Sequence, residues 1–188
     1  MRTTRQLLWP IAVEHDGYVT AADADALGLP DTALRLLAHR GKLAREARGV
    51  YRFDELPRER SADYRFATLW TGRGNAALSH DTALDLYDLC DINPDKYHVT
   101  VPKDDRVRRT GGVNIVVHHE DLTADEIGWW EGIPCVTIST AIRQGIDTGV
   151  PTYLVTQALE TARARGAITE AERVQLAERM GNRGRPVR

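Results

Sequence analysis

The chain has 188 residues, of which 42% are hydrophobic and 28% charged, with a formal net charge of −2. That length leaves room for one large or two small domains, and the apolar fraction can fill a core. The near-neutral balance excludes a global basic field for nucleic acid, no apolar run approaches the roughly 18 residues of a membrane span, and the N-terminus lacks a signal-peptide pattern.

Arg5 to Glu14 reads as a first helix with Leu7, Leu8, Ile11 and Ala12 on its apolar face, Pro10 being tolerated only near the start or at a kink. Tyr18-Val19-Thr20 is a short extended element. Thr20 with Asp23 then fits a capping box that opens a second helix. That helix stops near Leu27, because Gly28 suits a left-handed C-terminal cap and Pro30 cannot continue it. A third helix is expected from Asp31 to Arg40. Its Leu34, Leu37 and Ala38 form one stripe, with Thr32, Arg35, Leu36 and His39 on the opposite face. After Gly41, Leu43–Glu46 and Gly49–Phe53 read as two strands joined by Ala47-Arg48-Gly49. This order is that of a winged helix-turn-helix, which lays its last helix in the DNA major groove.

Charge supports that reading locally. Between residues 31 and 52 the basic residues are Arg35, Arg40, Lys42, Arg45, Arg48 and Arg52, against Asp31 and Glu46. Each cation that reaches a phosphate releases a counterion, the sequence-independent part of DNA affinity. Arg35 is the best-placed base reader, since arginine pairs bidentately with guanine, while Arg45 and Arg48 suit the backbone or minor groove. The candidate DNA contacts are thus Thr32, Arg35, Leu36, His39, Arg40, Lys42, Arg45 and Arg48. The competing reading is a face charged only for solubility.

Asp54 to Arg60, with Pro57, suits a linker, and a boundary is expected near residue 58. Helices follow at Ser61–Trp70 and from Ser79, read as an N-cap, to Leu89. Lys96–Val101 alternates as a strand, with Tyr97, Val99 and Val101 on one side and His98 and Thr100 on the other. A second strand is expected at Val113–His118 and a third at Cys135–Ile138, with a capped turn at Thr123–Glu126 between them. Ser139–Asp147 is a helix. Thr152–Arg165 and a Thr169-capped arm to Met180 form a closing helical hairpin. The fold class is therefore α+β: a winged helix at residues 1–58, a mixed domain with a small sheet at 59–180, and a disordered basic tail at 181–188. Cys90 and Cys135 lie far apart without metal-type spacing, as buried reduced thiols of a soluble cytoplasmic protein would.

Four segments occur in a telling order: Arg48-Gly49-Val50-Tyr51-Arg52, Ala77-Leu78-Ser79-His80-Asp81-Thr82-Ala83-Leu84, Tyr97-His98-Val99-Thr100-Val101-Pro102 and Gly132-Ile133-Pro134-Cys135-Val136-Thr137. In these the chain resembles the AbiEi family of antitoxins from bacterial toxin–antitoxin systems, over roughly residues 5 to 165. The resemblance implies repression of its own operon through the winged domain and neutralisation of a nucleotidyltransferase-like toxin through the C-terminal domain. Whether the toxin is touched directly stays open at this level, as does a homodimer on the operator. The basic segment with Lys103, Arg106, Arg108 and Arg109 is a candidate partner contact. Two alternatives belong to other classes: a free-standing regulator with a ligand-sensing C-terminal domain, and a nuclease remnant or subunit. The same middle module also resembles the N-terminal part of longer proteins that end in a nuclease domain.

Catalytic groupings are weak. His118-His119-Glu120 invites a metal, with His80 or His98 brought in by folding, but no HExxH, CxxC or Asp-rich pattern accompanies them. The lysines are Lys42, Lys96 and Lys103, none in a Glu-x-Lys arrangement, and neither Ser79 nor Ser139 has a nucleophile-elbow context, both being read as helix starts. Trp129-Trp130 is read as one ring under the sheet and one over a loop, against an exposed interaction patch. The expectation is a non-enzymatic protein with no metal and no cofactor.

Overall fold

The computed structural model describes residues 2–183. The chain divides into two units. One takes the chain up to Gly74 together with Val107–Val113, and the other takes Asn75–Arg106 and the chain from Asn114 onward.

The first unit contains α1 (Thr4–Glu14), β1 (Tyr18–Thr20), α2 (Ala21–Ala26), α3 (Ala33–His39), β2 (Ala44–Ala47), β3 (Val50–Arg52) and α4 (Arg60–Trp70). Thr3 and Gln6 form a capping box on α1. Pro10 lies inside that helix and removes one donor from it. Leu8 and Ala12, both fully buried, hold the helix on the core through this point. The box on α2 is as expected: Thr20 Oγ1 accepts from the Asp23 N–H at 3.2 Å, and the Asp23 carboxylate accepts from the Thr20 N–H at 2.7 Å.

Two glycines shape the helix-turn-helix. Gly28 (φ +67) lets the Leu29 N–H return to the Ala24 carbonyl, and Gly41 (φ +66) does the same for Lys42 and Leu37. Helix α3 begins at Ala33, two residues later than expected, because the Ala33 N–H closes a turn onto the Pro30 carbonyl at 2.8 Å. The sheet is antiparallel in the order β1-β3-β2, with a bulge in β2 between Arg45 and Ala47. Leu8, Val19, Leu34, Tyr51 and Phe53 make its core.

The boundary expected near residue 58 falls instead beyond α4. Ala62, Phe66 and Leu69 pack on Tyr18 and Val50. Ser61 Oγ donates to Asp16 Oδ1 at 2.6 Å, and Arg65 Nε pairs with Asp16 Oδ2. The segment read as a linker is tied down as well: Arg52 donates to the carbonyls of Leu56 (2.7 Å) and Pro57 (2.8 Å). Arg52 therefore leaves the exposed basic set, its side chain being only 6% exposed.

The second unit contains β4 (Ala77–Leu78), α5 (His80–Leu86), β5 (Tyr97–Val101), β6 (Ile115–His119), a 3-10 turn (Ala124–Glu126), β7 (Ile127–Trp130), β8 (Ile133–Val136), α6 (Ile138–Thr148), α7 (Thr152–Ala164) and α8 (Glu170–Gly181). Its mixed sheet runs β6-β5-β4-β8-β7, with β5/β6 and β4/β8 parallel and the other pairs antiparallel. Two strands escaped the sequence reading. Strand β4 is too short to show a period. The β7–β8 hairpin turns on Glu131 (φ +46) and Gly132 (φ +71), and a glutamate in the first left-handed position lacks the usual Asn or Gly signal.

Strand β8 begins at Ile133, two residues before the expected third strand, and Thr137 rather than Ser139 occupies the N-cap of α6. Trp129 stands 70% exposed on the edge strand β7, not over a loop, while Trp130 is half-buried. The tail expected from Gly181 is ordered at its start. Gly181 closes α8, and Arg183 donates to the carbonyls of Val150 (2.6 Å) and Gly145 (3.0 Å), where the end of α6 attracts a cation. Residues 184–188 of that expectation lie outside the described residues.

Candidate nucleic-acid interface and a buried histidine cluster

Helix α3 divides as its stripe requires. Ala33 and Leu34 are buried, and Leu37 and Ala38 pack against the core from the same side. Thr32, Arg35, Leu36, His39 and Arg40 are exposed, Leu36 by 48%. Lys42 follows the helix, Arg45 lies on β2 opposite Tyr51, and Arg48 sits in the β2–β3 turn; all three are exposed. Arg35 borders a cleft of about 120 Å³ that also reaches Asp31 at the helix start and Gly49 at the wing tip. Arg5, Arg52, Arg58 and Arg65 each make an ion pair in this unit. Among the described residues, no carboxylate pairs with Arg35, Arg40, Lys42, Arg45 or Arg48. The exposed cations on α3 and the wing are thus left without a carboxylate partner.

The segment read as one basic surface is split between the units. Lys103 and Arg106 stay with the second unit, where the Lys103 N–H donates to Asp121 at 3.0 Å. Arg108 and Arg109 belong to the first unit. Arg109 donates from Nη1 to the Arg48 carbonyl, at the wing tip. A Cβ at Gly72 would overlap the Arg109 guanidinium, and one at Gly112 would overlap the Trp70 indole, so both glycines permit close docking.

The second unit gathers three histidines that lie far apart in sequence. His98 on β5 and His118 on β6 share one sheet face, and the β4–α5 junction adds His80. The His80 and His118 rings stack with centroids 3.5 Å apart, and His118 Nε2 lies 3.0 Å from His98 Nδ1. His119 points away and is exposed. Ser79 occupies the N-cap position of α5, as expected, but its side chain makes no capping bond. Its hydroxyl accepts from Thr100 Oγ1 at 2.8 Å and lies 3.0 Å from His80 Nδ1, while Gln144 Oε1 accepts the His80 N–H at 3.1 Å. Gln144 in turn donates to Glu120 at 2.7 Å, and Arg143 Nη1 pairs with Glu120 at 2.7 Å.

Burial, with the neighbouring imidazoles and Arg143, pushes His80 down to about 3. Burial and His98 push His118 down to about 4, and burial lowers His98 against the pull of Asp81. The rings are therefore neutral near pH 7. His118 Nε2 faces His98 Nδ1 and His80 Nδ1 faces Ser79, and among the described residues no group of three or more His, Cys, Asp or Glu side chains is arranged to hold a metal. Ser79 is fully buried. Cys90 and Cys135 are free, buried thiols, and burial pushes Cys135 up to about 12.

The comparisons fit this picture in the first unit. Residues 10–53 match the family described as transcriptional regulator, AbiEi antitoxin. The AbiEi match spans α1 from Pro10, the helix-turn-helix and the wing, so it covers every exposed cation on α3 and β2. A solved structure, that of the RV2827C protein from Mycobacterium tuberculosis, shares the fold with a TM-score of 0.53 at 18% identity, over 95% of this chain and 70% of that one. No curated protein matches the chain. No helix among the described residues is long and apolar enough to cross a membrane.

Proposed function

We propose that this chain is a cytoplasmic, DNA-binding antitoxin that represses its own toxin–antitoxin operon and counteracts a nucleotidyltransferase-like toxin. The observation that carries the reading is the set of exposed, unpaired cations on α3 and the wing, inside the stretch that matches AbiEi transcriptional regulators. Arg35 reads a base edge in the major groove, and Arg40, Lys42, Arg45 and Arg48 grip phosphates on either side. A homodimer on an inverted repeat is the arrangement we favour on DNA. The second unit acts on the toxin without chemistry of its own. Full burial of Ser79 and the neutral, mutually engaged histidines support that non-enzymatic reading. Lys103 and Arg106 remain its basic candidates for a partner.

The ligand-sensing alternative calls for an enclosed apolar pocket. A cleft of about 330 Å³ in the second unit is lined instead by charged groups, including Glu126, Arg143, Glu172 and Arg179. The deciding experiment co-expresses the full chain with the product of the neighbouring toxin gene and follows growth. Rescue is expected. Its absence, with operator binding intact, would leave a free-standing regulator.

A further inference from the structure

The crossover from β5 to β6, residues 102–114, joins two parallel strands of the second unit, a connection that usually carries a helix. Here it carries none. Residues 107–113 belong instead to the first unit. Their docking is built in detail: Gly112 lies flush on the Trp70 indole, Arg109 lies against Gly72, and Arg109 Nη1 donates to the Arg48 carbonyl in the wing turn. A cleft of about 200 Å³ beside this contact is lined by Gly49, Val50, Leu69, Gly72, Arg73 and Arg109. Arg73 and Arg109 thus line one cleft, beside the wing turn that carries Arg48. Burial first, and then the positive charges of Arg48 and Arg73, lower the pKa of Arg109. Arg108, next along the strap, is exposed.

We propose that residues 107–113 form a second DNA-contacting arm beside the wing, in which Arg109 and Arg48 together hold a backbone phosphate of duplex DNA. The inference rests on the DNA-binding reading of α3 and extends it to a segment distant in sequence. Like charges brought together on a folded surface repel, and a phosphate between them relieves that repulsion while releasing counterions. The arm reads no bases. It adds affinity equally on any sequence.

The test uses the full chain and two labelled duplexes, the DNA upstream of its own gene and an unrelated sequence of equal length, titrated over a series of KCl concentrations. Arg109→Ala should weaken binding to both duplexes alike and reduce the salt slope by about one, with an unchanged melting temperature. Arg109→Lys, which keeps the charge, should restore the slope. A slope unchanged in Arg109→Ala, while Arg48→Ala or Arg35→Ala still weakens binding, overturns the arm and leaves the reading of α3 standing. Loss in Arg109→Lys equal to that in Arg109→Ala also overturns it, since the hydrogen bond to the wing turn would then be the whole role. Failure of the native chain to bind either duplex removes the DNA reading and the arm with it.

Discussion

His118 Nε2 and His98 Nδ1 lie 3.0 Å apart, so in the neutral pair one ring donates and the other accepts. Protonating both would place two cations in hydrogen-bond contact beneath the stacked His80 ring. Glu120 and Asp81 oppose that charge, whereas Arg143 and Lys96 add to it. In the folded chain His118 is lowered to about 4 and His80 to about 3, from an ordinary 6.5. Below that ordinary value the unfolded chain binds more protons than the folded one, so stability falls as pH falls. The loss begins near pH 6.5 and continues down towards the folded values, by up to about 1.4 kcal/mol per pH unit for each histidine. Urea unfolding of the second unit between pH 7 and about 4.5 should show this slope. His118→Gln should flatten it; an unchanged slope in that variant would rule out the cluster as its source.

Arg35 and Arg48 should behave differently on DNA. Arg35→Ala is expected to weaken operator binding by about 1–3 kcal/mol and unrelated DNA much less, because a base contact carries sequence information. Arg48→Ala should weaken both about equally. Fluorescence anisotropy on the two duplexes measures the difference, and parallel losses for the two variants would remove Arg35 as the base reader.

Asp16 should matter far more than its place in a turn indicates. It takes Ser61 and Arg65 on its two carboxylate oxygens, with both charged side chains largely buried. Asp16→Asn tolerates the same left-handed backbone (φ +53) but removes the carboxylate charge that Arg65 pairs with. The expected loss is about 3 kcal/mol from the first unit, read as a lower urea midpoint. A loss below about 0.5 kcal/mol, the range of ordinary surface substitutions, would show that Asp16 does not anchor α4.

Gly112→Ala should release the strap. The added Cβ meets the Trp70 indole, and only movement of the ring or of residues 107–113 can relieve the overlap. Trypsin should then cut after Arg106, Arg108 or Arg109 several-fold faster than in the native chain. Cleavage at the native rate would mean that the segment is not held by this contact.

Local chemistry wrote much of the first unit into the sequence. The Thr20–Asp23 capping box, the left-handed glycines 28 and 41, and the Leu34 stripe each act within a few residues, so their outcome is readable without a fold. The same stripe placed Arg35, Leu36 and His39 on the solvent face. What the sequence could not determine depends on partners far along the chain. Arg52 looks like any other arginine of a basic stretch until the carbonyls of Leu56 and Pro57 fold over it. Ser79 does sit at the N-cap of α5, but its hydroxyl engages Thr100 on β5 and makes no capping bond. The approach of His98 and His118 follows from the parallel β5/β6 register, and the pairing of β4 with β5 brings in His80. Arg109 reaches the wing only because the crossover docks on Trp70 and Gly72. Short-range hydrogen bonding and periodicity thus determined the helix-turn-helix and its exposed face. Long-range pairing, which no local pattern encodes, decided where the first unit ends, which arginines remain free, and what the histidines touch.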